Sequence, residues 1–199
     1  MKAFIDNKHY FGTSFESLEL SERQFQGIEF EECRFIDCEL SGVNFHNCKF
    51  TGCEFKGCNL SLVEFSNSKL FEITFIESKL VGVDWTKLAW PLYHTDFELS
   101  FHRSILDHST FFGLTLKELI MEECMVREVD FREGDFSEST MTQCDFSRSL
   151  FMQTNLQKVD FSDSTGFAIN VLENQVAGAK FSQYEALSLL QFLGIELVD

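Results

Sequence analysis

Seven cysteines, five histidines and 32 carboxylates are the side chains of this 199-residue chain that could hold a metal, attack an electrophile or move a proton. Their spacing argues against all three. Cys33, Cys38, Cys48, Cys53, Cys58, Cys124 and Cys144 form no C-x-x-C pair, and a zinc site needs thiolates that converge from different directions. Several lie twenty apart (Cys33 and Cys53, Cys38 and Cys58, Cys124 and Cys144). They read as small, reduced, buried residues, and their odd number argues against a disulfide framework. His9, His46, His94, His102 and His108 show no ligand spacing, and His102 and His108 fall at outward positions of the pattern described below. No phosphate loop, dinucleotide fingerprint or nucleophile elbow occurs. The expectation is no catalytic residue, no metal, no cofactor and no enzyme activity.

The carboxylates point elsewhere. Against 16 Lys and Arg they leave a formal net charge of −16, and every fifty-residue stretch carries an excess of acid. Direct binding to nucleic acid or to an anionic membrane is disfavoured, whereas a basic protein groove is a fitting partner. A surface kept acidic for solubility is the competing explanation. The first residues have no apolar signal core, and no run approaches membrane-spanning length, so a cytoplasmic location is expected.

The elements that display these carboxylates follow from a period of five. From Phe15 to Trp90, all sixteen positions at steps of five are apolar. With 44% apolar residues, chance gives this roughly twice in a million. Tyr10 and Ile5 extend the series backward. It resumes one residue out of phase at Phe101 and runs to Phe161. The spacing predicts a bulge or small loop at 91–100 that adds one residue and no extra side. Two residues before each apolar position the side chains are slim, with Arg23 a misfit suggesting an irregular early coil. Periods of 3.6 and 2 both drift out of phase with five. A backbone that turns a corner every five residues stays in phase, and four such sides close a coil of twenty.

This register, in stretches such as Cys48-Lys49-Phe50-Thr51-Gly52 and Cys53-Glu54-Phe55-Lys56-Gly57, resembles the pentapeptide-repeat family. The resemblance implies an all-β, right-handed quadrilateral parallel β-helix of about eight coils, on the order of 38 Å long. The repeat is assigned to 1–181, with the register break at 91–100, and a C-terminal helix and tail to 182–199. Ser182-Gln183-Tyr184-Glu185 reads as a capping box and Gly194 as the helix stop. Ala186, Leu189, Leu190 and Leu193 share a face that can cover the open end of the solenoid. Leu187, Leu190, Phe192, Ile195, Leu197 and Val198 supply an interface for a homodimer.

The tail Ser188–Leu197 and the segment Val81–Pro91 are similar to the branch of the family directed at topoisomerases, which holds Qnr-type, MfpA-type and albicidin-resistance (AlbG-like) proteins. That resemblance implies an acidic rod that mimics duplex DNA, docks on DNA gyrase or topoisomerase IV, and confers resistance or immunity to a topoisomerase poison. A duplex of this length carries about 22 phosphate charges, a magnitude comparable with the acid content here. If the break adds no side, Asp37, Glu54, Glu77, Glu118, Asp135 and Glu138 share the binding side, diluted by Lys56, Lys117 and Lys158. Glu118, Glu123, Glu128, Glu133 and Glu138 would instead circle the rod. Qnr-type proteins can carry longer projecting loops; here the only interruption is 91–100, which favours occupation of the enzyme's DNA-binding saddle. The alternative is a structural scaffold for another protein, using outward Ile36, Phe71, Ile76, Val81, Phe112 and Met152.

Overall fold

The computed structural model describes residues 4–90 and 98–195. Each five-residue side places its large apolar residue on the central axis, and four sides close one coil of a right-handed parallel β-solenoid of about eight turns. Four faces follow in chain order. Face 1 begins at Tyr10, face 2 at Phe15, face 3 at Leu20 and face 4 at Phe25. Residues pair with those one coil away in parallel register: Tyr10 with Phe30, Phe15 with Phe35, Phe25 with Phe45. Face 2 is the most continuous, a sheet of nine short strands.

The column of large residues is buried from Leu20 to Trp85 and again from Phe101 to Phe161. Rings stack coil on coil: Phe35 over Phe55 at 4.4 Å, Phe75 over Phe101 at 5.1 Å and Phe111 over Phe131 at 5.4 Å. Each buried Phe contributes about 1.5–3 kcal/mol by leaving water, against the entropy of ordering the chain. At the N-terminal end the inward residue is Phe4 and not Ile5, which is 52% exposed. Phe4 turns onto the axis and meets six rings, from Phe25 at 5.0 Å to Tyr10 at 6.3 Å, plugging the first coil. The coil around Arg23 is regular; Asn44 N donates to Arg23 O at 2.9 Å while the Arg23 side chain stays exposed.

The slim positions do more than fit. In many coils a polar slim residue accepts the amide of the slim residue one coil earlier. Cys48 N donates to Ser68 Oγ at 2.8 Å, Cys58 N to Ser78 Oγ at 3.0 Å, and Thr154 N to Asn174 Oδ1 at 2.9 Å. The same hydroxyl donates onward to an axis carbonyl, as Ser68 Oγ does to Phe45 O at 2.7 Å. Where the slim residue below is apolar, the amide turns instead to a local carbonyl: Val43 N donates to Leu40 O. The cysteines join this ladder. Cys38 N donates to Cys58 Sγ and Cys124 N to Cys144 Sγ, both at 3.4 Å. All seven thiols are free and buried. Burial pushes Cys53 up to about 12 and raises Cys33 and Cys48 as well. Bonding to the thiol above, followed by burial, raises Cys58 and Cys144.

The register break is larger than the phase slip indicates. Phe75 pairs with Phe55, twenty residues back, but with Phe101, twenty-six residues on. The difference of 26 and 20 is six inserted residues, one more than a whole side. Ala89 N still donates to Ser68 O in the regular pattern, and Leu99 already pairs in the new register, so the insertion lies between them. Most of the expected bulge, 91–97, lies outside the described residues. Past the break, each apolar position therefore sits one face away from where a single added residue would put it.

At the C-terminal end Phe181 pairs with Phe161, and helix α1, Gln183–Leu190, continues into a 3-10 turn, Gln191–Leu193, ended by left-handed Gly194. Ser182 stands at the N-cap, but the capping box is not formed. Its hydroxyl instead accepts Asp163 N at 2.8 Å and donates to Asp163 Oδ1 at 3.2 Å, tying the helix start to the corner of the previous coil. Leu189 packs on the core, whereas Leu193, expected on the covering face, is exposed.

The amide–hydroxyl ladder makes a measurable prediction. Ser78→Ala leaves Cys58 N without its acceptor, and urea unfolding is expected to show a loss of about 1–3 kcal/mol. An unchanged midpoint and slope would mean the ladder contributes nothing.

Candidate functional site: a glutamate edge

Each side ends in a corner residue, and this position sets the surface chemistry. The corner backbone is left-handed, with φ near +50° to +65° for residues including Asp37, Glu72, Glu118 and Glu138. Glycine and asparagine reach this conformation with little strain, whereas other residues lose roughly 1–2 kcal/mol. This chain nonetheless places Glu at corners 22, 32, 72, 77, 98, 118, 123, 128, 133 and 138. Because the coils stack in register, the corners line up in four columns along the rod.

The column between faces 1 and 2 runs Gly12, Glu32, Gly52, Glu72, Glu98, Glu118, Glu138, Lys158 and Gly178. Glu138 is bound by Lys158 at 2.6 Å, which holds its carboxyl below the ordinary range. Among the described residues, no cation lies within ion-pair distance of Glu32, Glu72, Glu98 or Glu118. Several of the rod's cations are engaged elsewhere. Arg103 binds Glu77 at 3.1 Å, Lys87 binds Glu64 at 2.8 Å, Arg132 binds Asp130 at 2.8 Å, and Arg127 binds the buried Asp107. His102 meets Glu122 at 3.1 Å. Ion pairs thus cancel part of the rod's acid charge and, among the described residues, leave Glu32, Glu72, Glu98 and Glu118 on this edge without a cation, as they do other corner glutamates such as Glu22 and Glu123.

Near the N-terminal end, Gly12 and Gly52 alternate with Glu32 and Glu72 and leave a groove of about 700 Å³. Thr13, Ser14, Arg34, Glu54 and Thr74 also line it. A side chain at position 12 would meet nothing within 4 Å, so the notch exists because the sequence has glycine there.

The six residues expected on one side do not share one. Asp37 and Glu77 stand in the corner column between faces 2 and 3, with Gly57 between them and Arg103 below. Glu54 lies on face 2, Asp135 on face 1, and Glu118 and Glu138 on the edge between those two faces. The six-residue insertion causes this, because it turns everything after the break by one face. Burial works to raise Asp135, but hydrogen bonds from Ser137 and the nearby Lys117 hold it below its ordinary value. Glu118, Glu123, Glu128, Glu133 and Glu138 occupy successive corners and do circle the rod. Glu32, Glu72 and Glu98 were missed, although a column at steps of twenty on each side of the break contains them.

Of the expected dimer residues, Leu187 and Ile195 are exposed, Leu190 and Phe192 are half-buried, and Leu197 and Val198 lie outside the described residues. Tyr184 is also exposed, at 85%. Outward Phe112 and Met152 are exposed, while Ile36, Phe71, Ile76 and Val81 are half-buried. Among the described residues no helix is long and apolar enough to cross a membrane.

A coil-on-coil rod with a solvated acidic edge and a plugged apolar axis defines a parallel β-solenoid of the repeat class. The chain belongs to the pentapeptide-repeat family. It matches the pentapeptide repeat region over residues 9–85 and 28–111, and pentapeptide repeats (8 copies) over 130–165. Among solved structures it is similar to full-length QnrB1, described as a plasmid-mediated fluoroquinolone resistance protein. Identity is 22% over 92% of this chain and 100% of that one, with a TM-score of 0.58. A trypsin-treated QnrB1 variant matches at 18% identity over 96% of this chain and 98% of that one, with a TM-score of 0.55. HetL, a cyanobacterial pentapeptide repeat protein from Nostoc involved in heterocyst differentiation regulation, matches at 11% identity over 88% and 84%, with a TM-score of 0.40. No curated protein sequence matches. At these identities the likeness concerns the fold.

The left-handed corners predict a trade between stability and charge. Glu118→Asn is expected to raise unfolding free energy by roughly 0.5–1 kcal/mol, measured by urea denaturation, because Asn tolerates this backbone better. A loss of stability would show that the carboxylate makes a favourable contact that the geometry does not contain.

Proposed function

We propose that this protein binds the DNA-binding surface of a type II topoisomerase, DNA gyrase or topoisomerase IV, as a duplex mimic, and thereby lowers susceptibility to a topoisomerase poison. The observation that carries this reading is the run of uncompensated glutamates at Glu72, Glu98 and Glu118, in consecutive coils on the edge between faces 1 and 2. Coils stack at about 4.8 Å, so the edge is a line of negative charge parallel to the rod axis. A cationic groove shaped for duplex DNA is complementary to such a line, and long-range attraction speeds its docking. Glu54 and Asp135, on the two adjoining faces, and Asp37 and Glu77, on the next edge, are secondary contributors; Glu118 and Glu138 lie on the edge itself. Carboxylates retained at corners that favour glycine point the same way, since solubility alone could be met at unstrained positions. The fold likeness to QnrB1, itself described as a resistance protein, supports the choice of partner.

The working form in this reading is a homodimer joined through the C-terminal helix. Leu187 and Ile195, at 45% and 50% exposure, lie in a segment that leaves no residue of its own fully buried. The action is binding without catalysis.

A supercoiling assay titrated with protein, with and without a fluoroquinolone or albicidin, tests the reading. The parent chain is expected to alter gyrase or topoisomerase IV activity or its drug sensitivity at micromolar concentration. Glu72→Lys/Glu98→Lys/Glu118→Lys is expected to abolish the effect, and reversal at Asp37 and Glu77 to weaken it less. An acidic-edge variant as potent as the parent would defeat the mimicry and favour a scaffold role with another partner.

A further inference from the structure

Face 4 changes character along its length. Over the first coils its outward positions are polar: Gln24 and Gln26, Asn44 and His46, Glu64 and Ser66, Asp84 and Thr86. Beyond Trp85 the same two columns carry Phe112, Leu150, Met152 and Leu172, exposed by 41%, 48%, 40% and 70%. Phe112, Arg132 and Met152 stand one above another at coil spacing, with Leu150 beside Met152, and Leu172 follows in the turn after them, where Gln153 N donates to Glu173 O. Arg132 does not break the apolar surface. Its guanidinium lies 5.8 Å from the centre of the Phe112 ring and is bound by Asp130 at 2.8 Å, so the charge within the patch is cancelled inside it. Four large apolar side chains gathered on one face differ from the scattered singles of an ordinary surface.

The borders of the patch identify what covers it. The corner column before face 4 presents His108 and Arg148, both bound to Glu128. Arg148 remains 74% exposed, and a guanidinium keeps further donors for a second acceptor. The corner column after face 4 presents Gly113, Glu133 and Gln153, with Glu173 in the turn beyond them. One border can thus give hydrogen bonds to carboxylates and the other supplies carboxylates. Two copies laid face to face with parallel axes, related by a twofold along the rod, set the arginine border of each against the glutamate border of the other. Antiparallel packing would set like borders together. A self-complementary patch of this kind fits an isologous contact.

We propose that face 4 from Phe112 to Leu172 is a lateral interface between two parallel copies of this chain. It is separate from the C-terminal contact and does not depend on the topoisomerase reading. Where a lateral twofold along the rod is met at right angles by an end-to-end twofold across it, the two generate a closed tetramer with D2 symmetry.

Sedimentation velocity of the full chain through the micromolar range tests this, with circular dichroism confirming that each variant is folded. The parent is expected to sediment as a tetramer. Met152→Glu/Leu172→Glu is expected to leave a dimer, Leu187→Glu/Ile195→Glu a different dimer, and all four substitutions a monomer. Arg148→Glu is expected to weaken the lateral contact about tenfold, and Arg148→Glu/Glu133→Arg to recover it by exchanging the borders, which loss of fold could not do. If the parent is a dimer that only the face 4 pair dissociates, the lateral interface stands and the C-terminal contact falls. If face 4 substitutions leave the parent's mass and dissociation constant unchanged, or if the parent is a monomer throughout, the proposal is overturned.

Discussion

Everything in this molecule depends on one coil lying directly on the next at strand spacing. A five-residue side is too short to be stable alone, having a single large apolar residue and only a few backbone groups able to pair. Stacked, it lends its ring to a column and its amides to the coil above and below. The corner creates the difficulty, because the chain turns there and the slim residue's amide leaves the regular ladder. Polar slim residues meet this need with hydroxyl, thiol or carboxamide groups from the neighbouring coil, as Ser68 does for Cys48. The cysteines belong to this solution. Their thiols sit where a small group must both fill the axis and bond a backbone, which accounts for their number and spacing without any chemistry of their own.

The same stacking turns a local preference into a surface. A corner residue repeated every twenty positions becomes a line along the rod, and whichever residue type occupies the corner becomes the rod's edge. Glycine there opens a notch, as at Gly12 and Gly52, and glutamate makes a charged rail, as at Glu72, Glu98 and Glu118. Because the corner backbone is left-handed, each glutamate is held at some cost to stability. The face 4 patch arises in the same way from different residues, so one rod can carry an acidic edge for a cationic partner and an apolar face for its own copy.

The inward column was readable because its period belongs to the backbone itself and any large apolar residue satisfies it. The ends were less so. Ile5 continues the step of five, yet Phe4 takes the axis, where its ring packs among six others. Ser182 has the residue type of a helix cap, yet its hydroxyl serves Asp163, a neighbour that only the closed coil brings near. Arg23 broke the slim pattern without disturbing the backbone, because its long side chain turns out to water.

By itself the sequence determined the length of a side, the identity of the buried column and a net excess of acid. It could not determine which face follows the break. A repeat of five reports an insertion only by its remainder, and six leaves the same remainder as one. The fold resolved this by pairing Phe75 with Phe101, and that pairing decides which glutamates share an edge. The fold also decided which carboxylates remain uncompensated, because each ion pair joins residues about a coil apart or, for Arg132 and Asp130, on one side. Charge cancellation depends on distance in space, and composition records none.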